Sequence, residues 1–283
     1  ADIQTTMVSG NVARGGEATF DNGGFGEGGG IYLADGGTLT ISRSTISGNE
    51  CFPGIKPPSG GDGAASGGAL FVRGNNPNTI QISLSTISGN TVHGLLGTGG
   101  GIVSSGGLTI DSCTIVNNVS VFVNNGAGWY ISSTAGPDGP YARNTIICNN
   151  FSGGGSDPRD FSGHLKSRGF LMIGTPSPSL TSIDTSSGAN TAEGNQIVVV
   201  DPMLGPLADN GGPTWTHAPL SSSPALNAGT DTFIDGSATL IDQRGLPRVS
   251  TGGIANSSAL QADIGAVEWQ GAESAASSYG LYE

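Results

Sequence analysis

The sequence predicts an all-β fold: a parallel β-helix, or solenoid, with irregular loop insertions and a C-terminal cap. Three observations predict it. A strand-like phrase, Thr45-Ile46-Ser47-Gly48-Asn49, returns as Thr86-Ile87-Ser88-Gly89-Asn90, with looser copies at Met7-Val8-Ser9-Gly10-Asn11, Thr114-Ile115-Val116-Asn117-Asn118 and Thr145-Ile146-Ile147-Cys148-Asn149. A second phrase alternates with it, as Gly28-Gly29-Gly30-Ile31-Tyr32-Leu33, Gly67-Gly68-Ala69-Leu70-Phe71-Val72, Gly99-Gly100-Gly101-Ile102-Val103 and Gly126-Ala127-Gly128-Trp129-Tyr130-Ile131. The intervening residues keep a period of two rather than a helical period. Two strand phrases in strict alternation are the mark of a solenoid whose coils are built from strands.

Each element follows from local chemistry. In Thr38-Leu39-Thr40-Ile41 the leucine and isoleucine point in and the threonines out, and Ile80-Gln81-Ile82 and Leu108-Thr109-Ile110 repeat the pattern. The glycine pairs allow positive φ and close backbone approach at a corner. The asparagines that end the first phrase, Asn11, Asn49, Asn90, Asn118 and Asn149, sit where a bend is needed, and asparagine tolerates left-handed φ. Identical amides on successive coils can also hydrogen-bond in a structural ladder. The separations of these residues are 38, 41, 28 and 31, so some coils carry insertions. Those insertions are Glu50 to Ser66, Asn75 to Asn78 and Ser133 to Tyr141, and projecting loops are where a solenoid places recognition. Residues 1–152 therefore read as regular repeats. Residues 153–283 read as irregular coils and a C-terminal cap on the same solenoid, with strands expected at Phe170-Leu171-Met172-Ile173 and Ile197-Val198-Val199-Val200.

Composition narrows the partners. Of 283 residues 50 are glycine and only 11% are charged, and the net charge is −12. Ten scattered basic residues argue against nucleic acid, which needs clustered Lys and Arg. No run of 18 apolar residues is present to span a bilayer. Cys113 and Cys148 are expected on the inward face, too far apart for a disulfide, with Cys51 in a loop. A first coil so near Ala1 leaves a strand edge that calls for a cover.

Candidate chemistry is sparse. Asp35, Asp62, Asp111 and Asp138 form no recurring pair of the kind glycoside hydrolysis uses. His164, Lys166 and Arg168 are the one compact basic group and read as a solvated surface. His93, His164 and His217 lie in no zinc pattern, and His217 is expected to satisfy a local backbone bond. Asp201, Asp209, Asp242 and Asp263 read as turn formers, with Asp201 and Asp209 as weak calcium candidates and Arg244 and Arg248 as possible partners that lock the acids. Alternation makes one of Trp129 and Tyr130 point outward, where an aromatic ring in a groove could stack on a sugar.

The two phrases resemble those of bacterial right-handed parallel β-helix surface proteins with polymorphic outer membrane protein repeats. The stretch Asp201-Pro202-Met203-Leu204-Gly205-Pro206-Leu207-Ala208-Asp209-Asn210-Gly211-Gly212-Pro213-Thr214, followed by Asp242-Gln243-Arg244-Gly245-Leu246-Pro247-Arg248 and Asp263-Ile264-Gly265-Ala266-Val267-Glu268, resembles the choice-of-anchor Q domain of large secreted bacterial proteins. The resemblance implies a right-handed coil, export, and an extracellular or cell-surface location, but no single activity. The expectation is a non-enzymatic structural or adhesive protein that meets copies of itself or cell-surface components. End-to-end assembly through the first coil into a fibre is one form of this. The alternative is a β-helix that binds or cleaves polysaccharide.

Overall fold

Short strands separated by single left-handed residues give coils that turn sharply and stack in register. In the second coil the strand Leu39–Ser42 ends at Arg43 (φ 47°), Thr45–Ser47 follows and ends at Gly48 (φ 61°), and Glu50–Phe52 follows that. Equivalent bends fall at Thr5, Leu84, Ser112 and Asn144, and at Gly10, Gly89, Asn117 and Asn149. The computed structural model describes residues 1–19, 22–56, 61–73, 80–105, 107–121, 126–132, 140–185, 191–248 and 261–271. The insertion residues 57–60, 74–79 and 133–139, with Asp138, lie outside them.

Successive coils form parallel stacks. The first stack runs Asp2–Gln4, Leu39–Ser42, Ile80–Ser83, Thr109–Asp111 and Tyr141–Arg143. The second runs Met7–Ser9, Thr45–Ser47, Thr86–Ser88, Thr114–Val116, Ile146–Cys148, Met172–Ile173 and Gln196–Ile197. The third runs from Val12–Arg14 to Phe151–Ser152. The fourth contains the glycine-phrase strands Ile31–Leu33, Leu70–Val72, Ile102–Ser104 and Trp129–Ile131. The longer strand Phe161–Ser167 pairs with Trp129 at one end and with Tyr141 at the other, fusing the fourth stack to the first. The fold is a parallel β-solenoid, with no helix among the described residues.

The core is a set of aligned rows. Ile46, Ile87, Ile115, Ile147 and Ile173 stack from the second stack against Ile41, Ile82 and Ile110 of the first and Leu70, Ile102, Trp129 and Phe161 of the fourth. Each such side chain contributes roughly 1.5–3 kcal/mol on burial. In the first coil Ile3 and Val8 are only partly buried, since they have a neighbour on one side alone.

The glycine phrase is needed for close approach between coils. A Cβ on Gly68 would lie 2.2 Å from the Gly100 carbonyl oxygen, and one on Gly100 would lie 2.4 Å from that of Val119. No rotamer relieves a clash with backbone, so Gly68→Ala is expected to cost about 1–3 kcal/mol through forced separation of the coils. A thermal melt followed by far-ultraviolet circular dichroism checks this, and an unchanged Tm would show that the coils yield freely there.

Four expectations are corrected. The expected strand Ile197-Val198-Val199-Val200 stops at Ile197, because Val198 is left-handed (φ 65°) and 63% exposed. Cys51 is no loop residue: it lies on Glu50–Phe52 and is buried with Ala65 and Val92. Cys113 faces the main core, but Cys148 faces the opposite side of the second stack, with Val116, Ile146 and Met172. All three cysteines are free and buried.

The fourth correction concerns the C-terminal segment. Its described residues, 201–248 and 261–271, lie along the outer face of the second stack rather than over an end. Thr214 reaches Arg43 and Gln243 reaches Thr45 on the second coil. His217 meets Ser88 on the third, and Ala266 meets Thr114 on the fourth. The outward row explains the docking. Thr45, Thr86, Ser88 and Thr114 offer hydroxyls to be satisfied, while Val116, Ile146 and Cys148 offer an apolar strip matched by Ala225 and Ile264. Both faces of this parallel stack are thereby covered, as parallel sheets require.

Candidate functional site

Two arrangements bring polar side chains together. The first is the amide ladder. Nδ2 of Asn11 donates to Oδ1 of Asn49, Asn49 to Asn90, Asn90 to Asn118 and Asn118 to Asn150, each at 2.9 Å. The backbone N–H of each residue donates to the same oxygen at 3.0–3.1 Å. From Asn49 onward each amide also reaches back to the preceding coil, as Asn90 does to the Ile46 carbonyl at 3.0 Å. The fifth member is Asn150, not Asn149. The phrase at this coil is Ile146-Ile147-Cys148-Asn149-Asn150, because Ile147 pairs with Ile115 and Asn149 takes the left-handed place that Gly48 fills earlier.

The ladder ends on Asp160, whose Oδ1 accepts Asn150 N at 2.7 Å and Nδ2 at 2.9 Å while Oδ2 accepts Thr175 N at 2.7 Å. Burial pushes this carboxyl up to about 6, against the pull of those donors. A parallel row of hydroxyls sits at the other bend, with Thr6 N donating to Ser44 Oγ, Ser44 N to Ser85 Oγ and Cys113 N to Thr145 Oγ1. Serine and threonine before each phrase carried that signal.

The second arrangement is a groove of about 480 Å³ on the outer face of the first stack. Its floor comes from adjoining coils. Gln81 pairs with Thr109 and Thr109 with Tyr141 in one row, and Ser83 pairs with Asp111 and Asp111 with Arg143 in the next. Its wall is the 233–237 turn, closed by Phe233 N donating to the Ser237 carbonyl at 2.9 Å. Asp111 pins that turn: Oδ2 accepts Ile234 N at 2.7 Å, and Oδ1 accepts Ser112 Oγ at 2.9 Å. Arg143 adds Nη2 to Thr232 Oγ1 at 2.9 Å. Burial pushes the Asp111 carboxyl up to about 7, opposed by its hydrogen bonds and by Arg143 and Arg248. Asp235 at the rim is held below the usual carboxylate range by the Ser237 hydroxyl and N–H. Arg168 lies 4.4 Å over the Tyr141 ring. The basic group that reads as loop surface is therefore strand-borne: His164 and Lys166 lie on Phe161–Ser167, and Arg168 follows it beside the groove.

Other sequence candidates are placed elsewhere. Trp129 is fully buried, its Nε1 donating to Ser104 Oγ at 2.9 Å and its ring edge-on to Phe161, so no sugar can stack on it. Tyr130 is the outward, partly exposed member of the pair. Asp201 and Asp209 sit at separate turns, where each accepts the N–H two residues on, from Met203 and Gly211. No group of three or more metal-ligating side chains forms among the described residues. His217 bonds the Gly205 carbonyl through Nδ1 at 2.7 Å and Ser88 Oγ through Nε2 at 2.8 Å. Burial lowers its pKa, so the neutral ring rivets the C-terminal segment to the third coil. Arg244 pairs with buried Asp242 at 2.7 Å. No helix is long and apolar enough to cross a membrane among the described residues.

Compared with protein-family models, curated proteins and solved structures, the chain matches none.

Proposed function

We propose that the chain is a right-handed β-helix of the bacterial surface-protein type, with polymorphic outer membrane protein-like repeats and a choice-of-anchor Q-like C-terminal segment, working outside the cell as a structural or adhesive rod. The observation that supports this most is the directional amide ladder. Its donors run coil to coil from Asn11 to an acceptor-only terminus at Asp160. Such a one-dimensional polar spine stiffens length and displays loops at fixed intervals. Among the described residues Asp2–Gln4 and Met7–Ser9 are the outermost strands of their stacks, with Ile3 and Val8 partly buried. A further coil paired on these strands would lie parallel and in register, whether from the same chain or from another copy, and from another copy the contact is head-to-tail and extends into a fibre.

Negative-stain microscopy of native material tests the reading. Rods or filaments with lengths in multiples of one solenoid are expected. An introduced Ile3→Lys should shorten them by charging the half-covered edge. Dispersed particles of single length at high concentration, unchanged by Ile3→Lys, would overturn assembly through this edge.

A further inference from the structure

The groove on the first stack has the size and lining of a site for a small polar ligand. Its volume of about 480 Å³ falls within the roughly 300–1,000 Å³ of typical ligand pockets. Gln81, Thr109 and Tyr141 present amide, hydroxyl and phenol groups at one-coil steps of about 4.8 Å along the floor. Across from them, Asp235 spends Oδ1 on Ser237. Arg168 lines the groove as a partly buried cation. Its Nε is buried with no hydrogen-bond partner, and no carboxylate lies within ion-pair distance of it among the described residues. The Tyr141 ring lies beneath the guanidinium. An arginine fork that rests on an aromatic ring and lacks an acid is suited to a carboxylate from outside. Arg143, Lys166 and Arg168 fall on adjoining coils here, three of the ten basic residues in a chain of net charge −12.

We propose that this groove binds a single carboxylate-bearing sugar of the hexuronic acid class. The Arg168 guanidinium takes the carboxylate, and Gln81, Thr109 and Asp235 take ring hydroxyls. The aromatic face of Phe233 suits the apolar face of a sugar ring. The overall negative charge selects one sugar unit or a chain end over a long polyanion, whose remaining carboxylates would meet a repulsive surface. The site does not depend on end-to-end assembly.

The experiment is titration of the dispersed protein with D-glucuronate, with D-glucose as the uncharged match, followed by calorimetry and by amide shifts of the groove residues. Glucuronate is expected to bind at least tenfold more tightly than glucose. Arg168→Gln should remove that preference, and Arg168→Lys should restore part of it by charge without the fork. Gln81→Ala, at an exposed side chain, should weaken both sugars with the melting temperature unchanged. Equal binding of the two sugars, no binding of glucuronate, or full affinity in a folded Arg168→Gln protein would each overturn the assignment. Binding is read on dispersed molecules, so failure here leaves the filament test untouched, and the reverse.

Discussion

Replacing Asn90 with alanine is expected to cost about 2–6 kcal/mol, a large fraction of the stability of a typical domain. Asn90 is fully buried and serves five groups. Its Oδ1 accepts from Asn49 N and Nδ2, and its Nδ2 donates to Ile46 O, Ser88 O and Asn118 Oδ1. Alanine strands the Asn49 backbone N–H and one hydrogen of its amide in a water-free interior, the other hydrogen keeping the Val8 carbonyl. Each stranded group costs about 1–3 kcal/mol. Typical domain stability is about 5–15 kcal/mol, so one side chain carries a substantial part of it. Asn11→Ala is the matched control. It removes one donor to Asn49 Oδ1 at the exposed first coil, where the Asn11 N–H still satisfies that oxygen. Its cost should stay below about 1 kcal/mol, since water replaces the lost bond. Urea unfolding followed by circular dichroism measures both. Equal midpoints for the two variants would mean that the ladder decorates the solenoid without holding it together.

The ladder also shows how far the sequence could be read. Asn11, Asn49, Asn90 and Asn118 are legible because the phrase around each keeps its spacing and its residue types. At the fifth coil Thr145-Ile146-Ile147 offers two isoleucines in a row, and aligning on the threonine slips the register by one. In a strand a slip of one exchanges the two faces. That slip puts Asn149 in the place of Asn150 and turns Cys148 from the outer face to the inner one. Trp129 and Tyr130 were legible as an alternating pair, but which of them faces in depends on Ile102 and Phe161, to which Trp129 is matched across coils. The groove was not legible at all. Its floor joins residues 81, 109 and 141 through pairing between coils, and its wall comes from 233–237, brought there by hydrogen bonds to Asp111 and Arg143. Asp201, Asp209 and Asp242 accept the N–H two residues on, as turn formers do, whereas Asp263 ties Asn227 to Trp269 across the segment. Nothing local announced that the segment would lie along the solenoid's side, because that is decided by the outward face of strands far away in sequence.

Arg248→Met is expected to loosen the C-terminal segment by about 3–5 kcal/mol at pH 8, the usual cost of removing one partner from buried charges, and by much less at pH 5. Arg248 is fully buried, donating Nη1 to the Gly265 carbonyl at 2.9 Å and Nη2 to that of Asp263 at 2.6 Å. Four acids surround it: Glu268, Asp242, Asp263 and Asp111. Burial pushes Asp111, Asp263 and Glu268 upward, and the Asp263 charge pushes Glu268 further, while the arginine draws all three back down. A carboxyl raised in the fold stabilises it fully below the ordinary carboxylate range, and that contribution is lost as pH rises through the folded value, about 7 for Asp111. Without Arg248 the folded values rise higher, so at pH 8 the acids must either ionise uncompensated or hold protons at a cost. At pH 5 Asp111 and Glu268, pushed up to about 7 and about 8, hold protons and need no counter-charge. His217 acts with the opposite sign, since its lowered pKa gives a contribution that is present above about 6.5 and lost in acid. It makes no contact with Arg248, and comparing variant with wild type at each pH cancels it. Urea midpoints and limited proteolysis of residues 201–271 at pH 5 and pH 8 provide the test. A loss of equal size at both pH values would mean that Arg248 acts through its carbonyl bonds and packing rather than as the counter-charge of the buried acids.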